Sequence, residues 1–211
     1  MSRMKQDNNA RNRSSHIRKL VMTALLAALS SVLMFFSFNV PLMPSFIKMD
    51  LSELPALIAA FSLGPLSGAA VCLIKNLVNL LTTTTGGVGE LANFLLGVCF
   101  VVPTGLIYRK RSSLGGAVVG GLTGALMMAG LSVPVNYYVV YPIYTAFLPM
   151  EAIIGMYRVI NPSVENLWQC LLLFNLPFTF IKGMVSVLIT LLIYRKIEPL
   201  IKGTSSDGRI V

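Results

Sequence analysis

Residues 20–38 read LVMTALLAALSSVLMFFSF, without a charge, a proline or a glycine. Roughly 20 apolar residues in helical conformation cross the hydrocarbon core of a bilayer, where a backbone must satisfy its own hydrogen bonds. The run is too long for the apolar stretch of a secretory signal and lacks a small-residue cleavage site, so it is expected to be retained as a first span.

Similar stretches recur along the chain. Its 211 residues are 55% hydrophobic and 12% charged, with a mean hydropathy of +0.75, too apolar for a water-soluble domain of this length. The expected fold is an all-α membrane protein, a compact bundle of six transmembrane helices over residues 20–38, 51–64, 66–81, 90–108, 114–136 and 167–194. Gly64 and Pro65 make a tight turn between the second and third spans, and Asp50 or Ser52 is the expected cap of the second. TTTTGGVG, residues 82–89, is too rich in β-branched residues and glycine for a stable helix and reads as a loop. Residues 137–165 mix tyrosines and prolines with apolar residues and predict a short interfacial or re-entrant helix around 150–158. Prolines and charges there disfavour a seventh crossing.

Charge sets the orientation. Of seventeen basic residues, thirteen fall in three segments: six before the first span, three at Arg109, Lys110 and Arg111, and four after the last span. These are alternate loops, so the positive-inside rule predicts both termini in the cytoplasm. The organisation expected is a basic cytoplasmic tail over 1–18, a substrate-binding membrane domain over 19–197 and a second tail over 198–211. The first tail, through Ser15, reads as disordered or interfacial. The same distribution argues against a nucleic-acid partner despite the net charge of +9.

Catalytic chemistry has little to stand on. The one histidine, His16, lies in the tail, and Cys72, Cys99 and Cys170 form no short-spaced pair. HExxH, GxSxG and Walker A sequences are absent, so neither an enzyme nor a self-powered ATPase is expected, and no cofactor or metal. What the spans do carry is polar side chains in costly places. Asn175, Thr179 and Lys182 fall within a sector of roughly 60° on one helix face. Lys75 shares a face with Asn79, Glu90 shares one with Asn93, and Asn136 closes the fifth span. Together with Tyr137, Tyr138, Tyr141 and Tyr144 these groups collect toward the external half and suit a planar ligand with a polar edge. The competing reading is structural: Lys75 paired with Glu90, asparagines tying helices together, and an ordinary interfacial tyrosine belt. The GGVG glycines, an anion-binding amide nest on one reading, are explained equally by a turn.

FIKMDLSELPALIAAFSLGPLSG at 46–68 and LIKNLVNLLTTTTGGVGELANFLLG at 73–97 resemble the substrate-binding S components of energy-coupling factor vitamin transporters, the riboflavin-specific family in particular. The resemblance implies a six-helix bundle in the bacterial plasma membrane. It would capture riboflavin, or its phosphate FMN, from outside, under the loop between the first two spans. It also implies partners: a transmembrane coupling subunit and two cytoplasmic ATPase subunits. Ala24 and Ala28 stand at the spacing of the family's docking pattern. The ligand positions the resemblance implies are Asn136 and Lys182, with Asn175 and Thr179 as neighbours; Asn79, Glu90 and Asn93 join the candidate set from the polar faces above, and Lys48 and Met49 from the lid loop over 44–50. A self-sufficient small transporter or channel, a membrane enzyme or scaffold, and an S component for thiamine or pantothenate are the alternatives.

Overall fold

The structure is a computed structural model that describes residues 2–44, 47–83, 86–146 and 148–202. Helix α1 (Ser2–Phe35) leads into a two-stranded antiparallel hairpin, β1 (Phe38–Asn39) and β2 (Lys48–Met49), with Phe38 opposite Met49 and Asn39 opposite Lys48. Helices α2 (Glu53–Ser62), α3 (Pro65–Asn79), α4 (Val88–Lys110) and α5 (Leu114–Val135) come next in the chain. A π turn at Asn136–Val140 runs into α6 (Tyr141–Tyr144). After α7 (Met150–Arg158), α8 (Leu167–Cys170) passes through a second π turn, Leu171–Asn175, into α9 (Leu176–Lys202). The protein is an all-α membrane protein, and the helix expected at 150–158 is present.

Two expectations change in detail. The tail before the first span does not break the helix, because α1 is continuous from Ser2. Residues 2–19 contain neither proline nor glycine, and adding turns to an existing helix avoids the cost of nucleation. The last nine residues of the second tail lie outside the described residues. The second expected span is a ten-residue helix, about 15 Å long, whereas five other helical segments are long and apolar enough to cross a membrane. Helix α2 is buried along almost its whole length, Glu53 through Phe61. Neighbouring helices rather than lipid surround it, which accounts for apolar residues on every side.

Small residues set the helix spacing. Gly64, at φ +103°, turns α2 into α3 in a conformation that strains other residues. A Cβ on Gly124 would lie 2.1 Å from Thr104 Oγ1 and 2.5 Å from the Phe100 carbonyl, so α4 and α5 pack nearly backbone to backbone. Thr104 links the same pair, donating to the carbonyls of Phe100 at 2.7 Å and Gly120 at 3.0 Å. The main core, including Leu57, Val71, Phe100 and Ala125, occupies the middle of the bundle. At the end carrying the Arg109–Arg111 loop, Phe61, Tyr108 and Tyr194 pack ring against ring, with centroids 4.6 to 5.8 Å apart. That end is filled; the opposite end is hollow.

Candidate functional site

At the hollow end the last turn of α1, the hairpin, and the adjoining ends of α2, α3, α4, α5 and α9 enclose a cavity of about 580 Å³. Small-molecule sites commonly occupy some 300–1,000 Å³. Asn79, Glu90, Asn93, Asn136, Asn175, Thr179, Lys182 and Lys48 all line it. Met49 does not. Successive strand residues face opposite ways, so the hairpin that turns Lys48 toward the cavity turns its neighbour off it. Apolar walls come from Met34, Leu96, Met128 and Phe178, and rings from Tyr141 and Tyr144.

A charged relay forms the base. Lys182 Nζ donates to Asp50 Oδ2 at 2.7 Å. The other Asp50 oxygen accepts from the backbone N–H of Ser52 at 2.9 Å and from the Ser52 hydroxyl. That hydroxyl oxygen accepts from Lys75 Nζ at 2.7 Å, and Lys75 in turn reaches Glu53 Oε1 at 2.6 Å. Burial opposes the charge on Asp50. The ammonium groups of Lys182 and Lys75, with hydrogen bonds from Lys182 and Ser52, outweigh that penalty and hold its carboxyl well below the usual carboxylate range. Two lysines thus balance two carboxylates, a condition for burying any of them.

Lys75 therefore pairs with Glu53, not with Glu90. It sits one turn below Asn79 and is fully buried against the start of α2, while Glu90 is in the first turn of α4 at the cavity. Glu90 instead accepts from Asn79 Nδ2 at 2.9 Å and Thr83 Oγ1 at 3.0 Å. The N–H of Gly87 donates to Thr83 Oγ1 at 3.1 Å, which favours the turn reading of the glycine loop over an anion nest. Of the two expected caps, Ser52 takes the N-cap position of α2, though no side chain makes a capping hydrogen bond there; Asp50 accepts the N–H of Ser52 in a turn just before the helix.

Two of the four cavity asparagines stand at the two π turns. Asn136 opens one and donates through Nδ2 to the Ser132 carbonyl at 2.7 Å; Asn175 closes the other, its Oδ1 accepting from the Tyr157 hydroxyl at 2.7 Å. A π turn adds a residue to a helix, reorients the turns beyond it and recurs at functional sites. Sequence reasoning left Asp50, Glu53, Met34, Met128 and Phe178 out of the site. The acids had a signal, since carboxylates are rare in so apolar a chain, and Phe178 adjoins the Asn175–Thr179–Lys182 stripe. The methionines had none.

Arranged this way, the cavity offers amide, hydroxyl, ammonium and carboxylate groups at its rim and base between apolar walls. It can hold a flat, partly apolar molecule with hydrogen-bonding edges. Among the described residues no group of three or more histidine, cysteine, aspartate or glutamate side chains could hold a metal.

Comparison with known proteins identifies the family. The profile of the family described as "ECF transporter, substrate-specific component" matches residues 18–194. The riboflavin transporter FmnP of Bacillus subtilis (strain 168) is 35% identical over 189 residues, covering 88% of this chain and 95% of that protein. The riboflavin transporter RibU of Staphylococcus aureus (strain TCH60) is 31% identical over 185 residues, covering 88% and 93%. A solved structure described as "Structure and mechanism of the S component of a bacterial ECF transporter" superposes with a TM-score of 0.69 at 30% identity, covering 89% of this chain and 99% of that one.

Proposed function

The chain belongs to the substrate-specific components of ECF transporters, and from that premise we propose that it captures riboflavin in the cavity described above as the first step of vitamin uptake. The observation that carries the reading is the cavity's donor and acceptor set, Asn136, Asn175, Thr179 and Lys182, held between apolar and aromatic walls. A flavin ring is flat, apolar on its faces and edged with carbonyl and N–H groups, and its ribityl chain carries hydroxyls that suit Asn79, Glu90 and Asn93. Lys48, on the hairpin over the cavity, adds a donor from the lid side. The role is capture and transport rather than catalysis, with riboflavin as cargo and no resident cofactor.

Orientation is set by charge. With the Arg109–Arg111 end in the cytoplasm, the filled aromatic end faces inward and the cavity opens outward, in six crossings of which α2 is a short central one. Both tails, 1–18 and 198–211, are then cytoplasmic, and 19–197 is the substrate-binding domain of the bacterial plasma membrane. The filled inner end disfavours a self-sufficient channel, which needs a continuous polar path.

Release to the cytoplasm falls to partners: a transmembrane coupling subunit and two ATPase subunits. The docking face proposed is the side of α1 bearing Ala24 and Ala28, both exposed on its outer surface. Small residues permit close helix contact in lipid, where packing rather than hydrophobic drive holds helices together. Ala24→Trp or Ala28→Trp should therefore abolish uptake of labelled riboflavin by cells carrying all the partners, while the purified variant binds riboflavin as before. Normal uptake by both variants would put the docking face elsewhere.

A further inference from the structure

Tyr157 is fully buried on α7 and does not line the cavity, yet its hydroxyl donates to a residue that does: Asn175 Oδ1, at 2.7 Å. The hydroxyls of Tyr157 and Tyr141 are 2.5 Å apart, and Asn175 Nδ2 points at the Tyr141 oxygen from 3.5 Å. A phenol has one hydrogen to give. With that of Tyr157 on Asn175, the hydrogen between the two phenols is supplied by Tyr141. In this arrangement the amide oxygen faces Tyr157, and its NH₂ group is left with a hydrogen for the cavity. Asn136 differs: one hydrogen of its NH₂ goes to the Ser132 carbonyl, and its oxygen stays available to accept.

We propose that Tyr157 is a positioning residue that, with Tyr141, fixes Asn175 as a hydrogen-bond donor to the ligand, so that the cavity presents a donor at Asn175 and an acceptor at Asn136. This rests on the flavin reading above and sharpens it. An edge on which C=O and N–H alternate needs one amide of each polarity, and a ligand edge of the reverse polarity would leave buried groups unpaired and be rejected. An amide free to flip would read both edges and discriminate neither.

The test is a double-mutant cycle on the full purified chain, titrated with riboflavin and read by fluorescence quenching and by the visible absorption of the bound flavin. Tyr157→Phe, which removes one oxygen and keeps the ring, should weaken binding roughly tenfold and shift the bound-flavin spectrum toward that of Asn175→Ala. In the Asn175→Ala background the same change should cost nothing further. Equal losses in both backgrounds, or unchanged affinity and spectrum in the single variant, would overturn the proposal. Size-exclusion profile and melting temperature report folding. If Tyr157→Phe does not fold, Tyr141→Phe breaks the same relay one step further out and is judged by the same cycle. If the unmodified chain binds no riboflavin, the flavin reading falls and the inference with it; binding with an uncoupled Tyr157 sinks the inference alone.

Discussion

Lys75 and Lys182 lie in apolar helices far apart in the chain, and their surroundings give them different roles. The Lys75 side chain is wholly buried against Glu53, with no access to the cavity, whereas that of Lys182 retains 12% exposure and lines it. Lys75→Met should leave Glu53 as an unpaired buried charge and destabilise the protein by about 3 to 5 kcal/mol. Glu53→Gln in the same chain should recover much of that loss, since no charge then lacks a partner. Thermal unfolding in detergent checks both, and a Lys75→Met protein that melts like the unmodified one would contradict the ion-pair assignment. The sequence already placed Asn175, Thr179 and Lys182 on one stripe, because helical periodicity is local information. It mispaired Lys75, whose partner is 22 residues away across the α2–α3 hairpin, where the rotation of each helix about its axis decides which carboxylate is in reach.

At the scale of elements, the long spans were legible because an uninterrupted apolar run has only one way to satisfy its backbone in lipid. The ends were less so: α1 continues through a polar tail, and α2 is shorter than the apolar segment that encodes it. The π turns at Asn136–Val140 and Leu171–Asn175 leave no mark in composition, yet they carry two of the cavity amides, Asn136 and Asn175. The glycines of α5 are not equivalent at the contact with α4. Gly124→Ala should destabilise the bundle by about 1 to 3 kcal/mol, since its Cβ would meet the Phe100 carbonyl at 2.5 Å. Gly130→Ala in the same helix meets nothing within 4 Å and should melt at or above the temperature of the unmodified chain. Equal melting temperatures for the two variants would rule out the close α4–α5 approach.

For the whole molecule, orientation and capture stand together, because a cavity that faces the cytoplasm could not collect vitamin from outside. Cys72 and Cys170 are buried, so once Cys99 is replaced by alanine an engineered cysteine reports its own side. A cysteine at Ser163 should react with an impermeant reagent in intact cells and one at Ser112 should not; the reverse result would invert the topology. The Phe61–Tyr108–Tyr194 end is filled and the Asn136–Lys182 end is hollow, which fits the proposed role of a capture subunit that relies on others for release. Capture should therefore need no partner. The most direct measurement is titration of the purified chain, alone in detergent, with riboflavin: quenching that saturates at one flavin per chain and is weakened at least several-fold by Lys182→Ala and by Asn136→Ala is the result expected. A folded chain that leaves riboflavin fluorescence unchanged, or that binds it equally well in the folded double variant, would contradict the account.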